Sequence, residues 1–234
     1  IYTLREGAEP QKVKVSITTD RQDKDLIRQL RQSGVTQISL SPDAKEVAFI
    51  VRGDIFVTSV EYKTTKQITN TPQQERSVSF SPDGRSLVYC AERGGVWQIY
   101  QTKLKNKNEK LFTYATELEE ERLTNSNETS LQPQYSPDGK EVAYFKNRAE
   151  LCVINLKTRQ ERTVLDGKYN FSYRDGDLWF EWSPDSKWLL ASYIGTGGWN
   201  SIDIALVNAS GNGEVHNLTT TRSEERRVGK ECRS

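Results

Sequence analysis

A single histidine, His216, stands in the strand-like stretch EVHNL. Triad hydrolysis needs such a base held against a nucleophile and oriented by an acid. No Gly-x-Ser-x-Gly elbow accompanies it, so it reads as a structural strand residue and no catalytic residue is assigned. Cys90 and Cys152 lie in the apolar runs LVYCAE and AELCVINL, where a thiol behaves as a small hydrophobe. One histidine and two distant cysteines cannot supply a zinc-type ligand set, so neither metal nor cofactor is expected. Gly195-Thr196-Gly197-Gly198 lacks the Gly-Lys-Ser/Thr ending of a phosphate loop and reads as a strand connection. The segment YNFSYRDGDLWFEW (169–182) is dense in aromatics. Tyr169, Phe171, Tyr173 and Arg174, with Trp199 further on, are the candidate peptide-contacting groups, since aromatics and arginine dominate contact energy. The competing reading has them covering the edge of neighbouring strands. Four aspartates recur as Asp43, Asp83, Asp138 and Asp185. They resemble paired carboxylates, but each sits in a turn whose own chemistry accounts for it.

Those aspartates belong to a repeat. Ser-Pro-Asp occurs at 41–43, 81–83, 136–138 and 183–185, with the prolines 40, 55 and 47 residues apart. The turn-forming residues are Pro42, Asp43, Pro82, Asp83, Gly84, Pro137, Asp138, Gly139, Pro184 and Asp185. Proline presets φ at the first corner, Asp bonds the backbone two residues on, and Gly accepts positive φ. Alternating apolar pairs precede each turn (Ile38/Leu40, Val78/Phe80, Pro133/Tyr135, Phe180/Trp182). An apolar run follows each, then a third strand, then a closing segment at Ile68-Thr69, Leu123-Thr124, Val164-Leu165 or Leu218-Thr219. Two-residue alternation between turn signals argues for strands. A period of about 40–50 residues with four strands argues for an all-β propeller built of four-stranded antiparallel blades. The blades are expected at about 35–71, 75–125, 130–166 and 177–220.

Three regions interrupt the repeat. Residues 1–18 read as the last strands of a preceding blade, and 19–34 as a polar linker with a short helix near Leu26, Ile27 and Leu30. The longest interval holds an insertion at Lys103–Glu121, expected as an elongated hairpin or surface loop with Glu119-Glu120-Glu121 as a solvated face. Residues 222–234 (RSEERRVGKECRS) resemble translated sequencing-adapter DNA and are set aside as an artefactual tail. With them the chain has 33 basic and 32 acidic residues; without them, 28 and 29. Near-neutral charge argues against a nucleic-acid partner, and no apolar run is long enough to span a membrane. No initiator Met or signal peptide is present, so the chain reads as an internal piece of a longer protein.

The SPDG turn followed by an apolar strand and an Ile/Leu-Thr ending resembles the WD-like Pro-Asp propeller repeat. Such repeats occur in TolB-type periplasmic proteins, in prolyl-oligopeptidase relatives and in tricorn-like serine peptidases. The strand pair, polar stretch and new run of blades resemble the junction between the two propellers of a tricorn-like peptidase. That resemblance implies a non-catalytic segment gating or guiding peptides toward a serine-peptidase domain elsewhere. Its partners would be peptide or protein substrates and the parent's remaining propeller, PDZ and catalytic domains, in a parent that is a candidate homo-oligomer. It implies a periplasmic or cell-envelope location, with cytoplasmic relatives as the alternative. A TolB-like binding propeller and the propeller of a prolyl-oligopeptidase-type enzyme are the competing readings. Cut after four blades, the chain is expected to be poorly soluble because its edges lack partners.

Overall fold

The computed structural model describes residues 1–16, 30, 33–170, 178–194 and 202–219. The chain divides into two compact units, residues 1–33 and 34–234. In the first, β1 (Tyr2–Thr3) pairs antiparallel with β2 (Gln11–Lys12), Tyr2 opposite Lys12.

Among the described residues, the second unit contains four sheets of four antiparallel strands, each in simple sequential order. Blade 1 holds β3 (Val35–Leu40), β4 (Glu46–Val51), β5 (Asp54–Ser59) and β6 (Thr65–Gln67). Blade 2 holds β7 (Glu75–Phe80), β8 (Ser86–Arg93), β9 (Val96–Leu104) and β10 (Leu118–Arg122). Blade 3 holds β11 (Ser130–Tyr135), β12 (Glu141–Lys146), β13 (Glu150–Asn155) and β14 (Glu161–Leu165). Blade 4 holds β15 (Phe180–Trp182), β16 (Trp188–Ile194), β17 (Ile202–Asn208) and β18 (Val215–Asn217). This is the blade architecture of a β-propeller.

The core lies between the blades rather than within any one of them. Successive strand residues face opposite sides of a sheet, so each blade presents one apolar set to the blade before it and another to the blade after. Ala48, Ile50, Ile55 and Val57 of blade 1 pack against Val78, Phe80, Leu87 and Tyr89 of blade 2. Val88, Cys90 and Ile99 on the other side of blade 2 meet Tyr135, Val142, Tyr144 and Cys152 of blade 3. Ala143, Phe145, Leu151 and Val153 then meet Phe180, Trp182, Leu189 and Ala205 of blade 4. Three clusters thus join four blades. Truncating one of these fully buried Leu or Ile side chains to Ala costs about 2–5 kcal/mol by lost transfer energy and a residual cavity.

The insertion departs from a plain surface loop. Strand β9 is elongated and pairs with β10 from Leu104 opposite Leu118 to Tyr100 opposite Arg122. The intervening loop then returns into the structure. A 3-10 turn at Phe112–Tyr114 buries the Phe112 ring in the core between blades 1 and 2, edge-on to Phe80 at 5.9 Å.

Candidate functional site

Each Ser-Pro-Asp turn is built alike. The serine hydroxyl donates to the aspartate Oδ1 at 2.8, 2.6, 2.7 and 2.6 Å in blades 1 to 4. The same Oδ1 accepts from the backbone N–H two residues on, at Lys45, Arg85, Lys140 and Lys187. The serine Oγ in turn accepts from the first N–H of the next strand, at Glu46, Ser86, Glu141 and Trp188. The residue after Asp has positive φ in all four copies: Ala44 57°, Gly84 69°, Gly139 71° and Ser186 60°.

These bonds shift the carboxylates. The Ser41 hydroxyl, then the Lys45 N–H, hold Asp43 below the usual carboxylate range. Asp185 is lowered in the same way by Ser183 and Lys187. Partial burial pushes Asp138 upward, but the bonds from Ser136 and Lys140 outweigh it. A carboxylate whose charge is spent on its own turn is a poor general base.

Neighbouring turns touch. A Cβ on Gly84 would stand 3.6 Å from Pro42 Cδ, and one on Gly139 would stand 3.8 Å from Pro82 Cδ. The Asp138 N–H donates to Ser186 Oγ at 3.1 Å. A cavity of about 270 Å³ opens between the first two turns and the insertion, lined by Asp43, Glu46, Asp83, Lys110 and Leu111 among others.

The first strands of adjacent blades run beside one another, bonded through side chains. The Ser77 N–H donates to Gln37 Oε1, and the Phe80 N–H to Ser39 Oγ. Gln132 Nε2 donates to the Leu178 carbonyl at 2.9 Å, and Gln134 Nε2 to Glu181 Oε1 at 2.9 Å. Trp182 Nε1 donates to the Gln134 carbonyl at 3.3 Å. Bulges in β7 and β11, where Ser77 and Gln132 take φ of 58° and 55°, help aim these groups. Sequence reasoning passed over this polar wall. Its signal was present in the polar residues alternating with the apolar pairs before each turn.

Of the candidate peptide contacts, Phe171, Tyr173, Arg174 and Trp199 lie outside the described residues. Tyr169 ends a 3-10 turn at Gly167–Tyr169, in the connection between blades 3 and 4. Its ring stacks on Tyr193 at 5.1 Å, and Lys168 Nζ stands 4.9 Å from its centroid. It also packs on the core between these blades and so covers that junction.

The remaining polar groups hold blades together. Glu46 accepts from the N–H groups of Phe112 (3.0 Å) and Thr113 (2.8 Å) and from Thr113 Oγ1 (2.7 Å), all buried. Glu141, at the same place after its turn, is clasped by Arg162 through two 2.7 Å bonds. Arg162 Nε reaches the Ala209 carbonyl of blade 4 at 2.7 Å. Tyr89 and Tyr144, equivalent on their second strands, both donate to a fourth-strand glutamate, Glu120 and Glu161. Glu120 also takes two bonds from Arg93, at 2.7 and 2.6 Å, and Glu121 pairs with Lys103 and Arg159. Glu120 and Glu121 of the acidic run are therefore ion-paired, while Glu119 is exposed. Burial lifts the Glu120 carboxyl, but the Arg93 and Tyr89 bonds prevail and leave it lowered.

His216 is on β18, exposed, 3.0 Å from Glu214 and tilted against the Trp188 ring. Cys90 and Cys152 are free and buried in the cluster between blades 2 and 3, where burial pushes the thiols up to about 11 and about 12. Thiols so raised are unreactive at neutral pH. Among the described residues, no helix is long and apolar enough to cross a membrane.

Comparison with known protein families and with curated protein sequences finds no match. Solved structures do match. TolB from Acinetobacter baumannii aligns with a TM-score of 0.56 at 21% identity, over 79% of this chain and 43% of that one. The tricorn protease aligns with a TM-score of 0.54 at 15% identity, over 82% and 18%. An oligogalacturonate lyase from Vibrio parahaemolyticus aligns with a TM-score of 0.50 at 17% identity, over 68% and 45%. The chain therefore spans less than half the length of each of these proteins. At such identities the likeness speaks to fold, and the fold is that of a TolB- and tricorn-like β-propeller.

Proposed function

We propose that this chain is a non-catalytic propeller segment that guides peptides for a tricorn-like serine peptidase in the cell envelope. The observation that carries the reading is the polar wall of Gln37, Ser39, Gln132 and Gln134 along the first strands. Radial blades place such strands around a common channel, and the amide atoms there that are not bonded between blades, such as Gln37 Nε2 and Gln132 Oε1, suit the C=O and N–H groups of an extended peptide. The separate strand pair ahead of the blades and the likeness to the tricorn protease support the peptidase parent. Tyr169, with Phe171, Tyr173, Arg174 and Trp199, is proposed as a contact at the rim. The peptidase and PDZ domains would lie elsewhere in the parent.

Fluorescence anisotropy with labelled, unstructured peptides tests this on the whole chain. Saturable micromolar binding without cleavage is expected, weakened several-fold by Gln37→Ala and Tyr169→Ala. Absence of peptide binding, with capture of a folded envelope protein instead, would overturn it in favour of a TolB-like binding module. That second reading is favoured by the alignment with Acinetobacter TolB.

A further inference from the structure

The connection between β17 and β18 of blade 4 holds the one asparagine in the sequence that is followed by glycine, Asn212-Gly213. Its ends are pinned. Val207 pairs with Val215, and the Asn208 N–H donates to the Glu214 carbonyl at 2.9 Å. Asn212 and Gly213 are exposed, as are residues 60–64 and 157–160, which join the third and fourth strands of blades 1 and 3. The exposure therefore follows from the place of this connection within a blade.

Its geometry favours one reaction. The electrophile is the side-chain carbonyl carbon of Asn212. Its Oδ1 accepts from the Glu214 N–H at 2.9 Å. A donor already aimed at an oxygen that gains negative charge stabilises the transition state. The nucleophile is the Gly213 backbone nitrogen, whose N–H has no acceptor among the described residues. Gly213 has φ of 82°, and nothing stands within 4 Å of the place a Cβ would take. Neither a side chain nor a neighbour obstructs the approach. Both reacting groups belong to adjacent residues, so the encounter is intramolecular.

The Asp-Gly turns lack this combination. Asp138 Oδ1 accepts the Lys140 N–H in the same way. The Gly139 N–H, however, is held by the Ser136 carbonyl at 2.8 Å, and the Gly84 N–H by the Ser81 carbonyl at 2.9 Å. An aspartate side chain that stays ionised is also a far poorer electrophile than a neutral amide.

We propose that Asn212-Gly213 is a self-modification site at which the asparagine deamidates through a cyclic imide. The Gly213 nitrogen attacks Asn212 Cγ and gives up its proton to water. The Cγ–Nδ2 bond breaks, and the departing nitrogen takes a proton from water and leaves as ammonia. A further water then opens the imide at either carbonyl. One product is aspartate at position 212. The other is an isoaspartyl link, in which the main chain runs through the former side-chain carbon. Water is the only co-reactant. The isoaspartyl form adds a carbon to a hairpin connection whose ends are pinned. The aspartate form sets a second carboxylate beside Glu214, which already bonds Asn208 and His216. Both products loosen the closing hairpin of blade 4.

Peptide mapping by mass spectrometry tests this on the whole chain, aged in mildly alkaline buffer made with 18O-water. Circular dichroism at each time point checks that the fold persists. The peptide spanning Asn212 is expected to exchange NH2 for OH before any other asparagine changes. It should carry one labelled oxygen and give both aspartyl and isoaspartyl products, which electron-transfer fragmentation separates. Asn212→Gln, matched to wild type by its melting curve, should abolish the new species. An Asn212 that stays intact in the folded chain would overturn the proposal. So would another asparagine reacting first, since the hairpin would then confer no advantage. Aspartate without isoaspartate would point to direct hydrolysis and remove the imide.

Discussion

Glu46 and Thr113 lie 67 residues apart in sequence, yet the Glu46 carboxylate accepts both the backbone N–H and the hydroxyl of Thr113. One side chain on the second strand of blade 1 thereby fixes the loop inserted into blade 2. Glu46→Ala leaves two buried N–H groups and a hydroxyl without acceptors. Unsatisfied buried donors cost about 1–3 kcal/mol each, with partial relief from water entry. A loss of about 3 kcal/mol in urea unfolding is expected, with Glu46→Gln milder because its amide oxygen keeps one acceptor. Equal stability of Glu46→Ala and wild type would show that the loop is held by Phe112 packing alone.

The turns make an opposite prediction. Ala44 occupies the left-handed position at φ 57°, where blades 2 and 3 carry glycine. A Cβ there costs about 1 kcal/mol, and glycine removes that strain at some cost in chain entropy. Ala44→Gly should therefore raise stability by a few tenths of a kcal/mol, while Gly139→Ala should lower it by about 1 kcal/mol. Thermal melts of the two variants moving in the same direction would count against this account.

Asp54 carries a pH dependence whose sign is opposite to that of the turn aspartates. Burial raises its pKa, opposed by the Thr71 N–H, and its Oδ1 is buried without a donor. Nearby Glu75 is also raised by burial, despite bonds from Thr71 and Thr69. A carboxyl with a raised folded pKa favours the folded state at low pH and loses that contribution as pH rises through the folded value. Asp54→Asn should therefore raise the melting temperature at pH 7. The gain should shrink as pH falls through the raised folded value, where the wild-type side chain itself takes up a proton. A gain that persists unchanged at pH 4 would point to a cause other than charge.

Asp43 and Asp185 work the other way. Their folded pKa values are lowered by serine and backbone donors, so their contribution is present above about pH 4 and lost as pH falls through the folded values. Asp185→Asn should flatten the acid limb of the stability curve, and a curve identical to wild type from pH 2 to 7 would contradict this.

The blades were legible because their determinants are local. Ser-Pro-Asp-Gly writes a turn within four residues, and alternation over five or six residues selects a strand. What escaped was everything joining blade to blade. Nothing near Glu46 in sequence indicates that its partners are Phe112 and Thr113, and Glu119-Glu120-Glu121 cannot declare which cations will face it. Arg93, Lys103 and Arg159 reach that run from three different segments. The polar first strands were hidden for the same reason: Gln134 acquires its role only when Glu181 and Trp182 of the next blade arrive beside it. Tyr169 lies in the connection between blades 3 and 4, but its stacking on Tyr193 depends on strand β16, more than twenty residues later.

The inserted loop between β9 and β10 bears on how the chain comes apart. By burying Phe112 and bonding Glu46, it makes blades 1 and 2 share a segment that neither owns. Regions sharing such contacts open as one cooperative unit. Amide exchange at Phe112 and Thr113 should then keep pace with the central strands of blade 1, although both residues belong to an extension of blade 2. The extra length in the second repeat, which sequence alone reads as an elongated hairpin or surface loop, is therefore a poor place to shorten the chain.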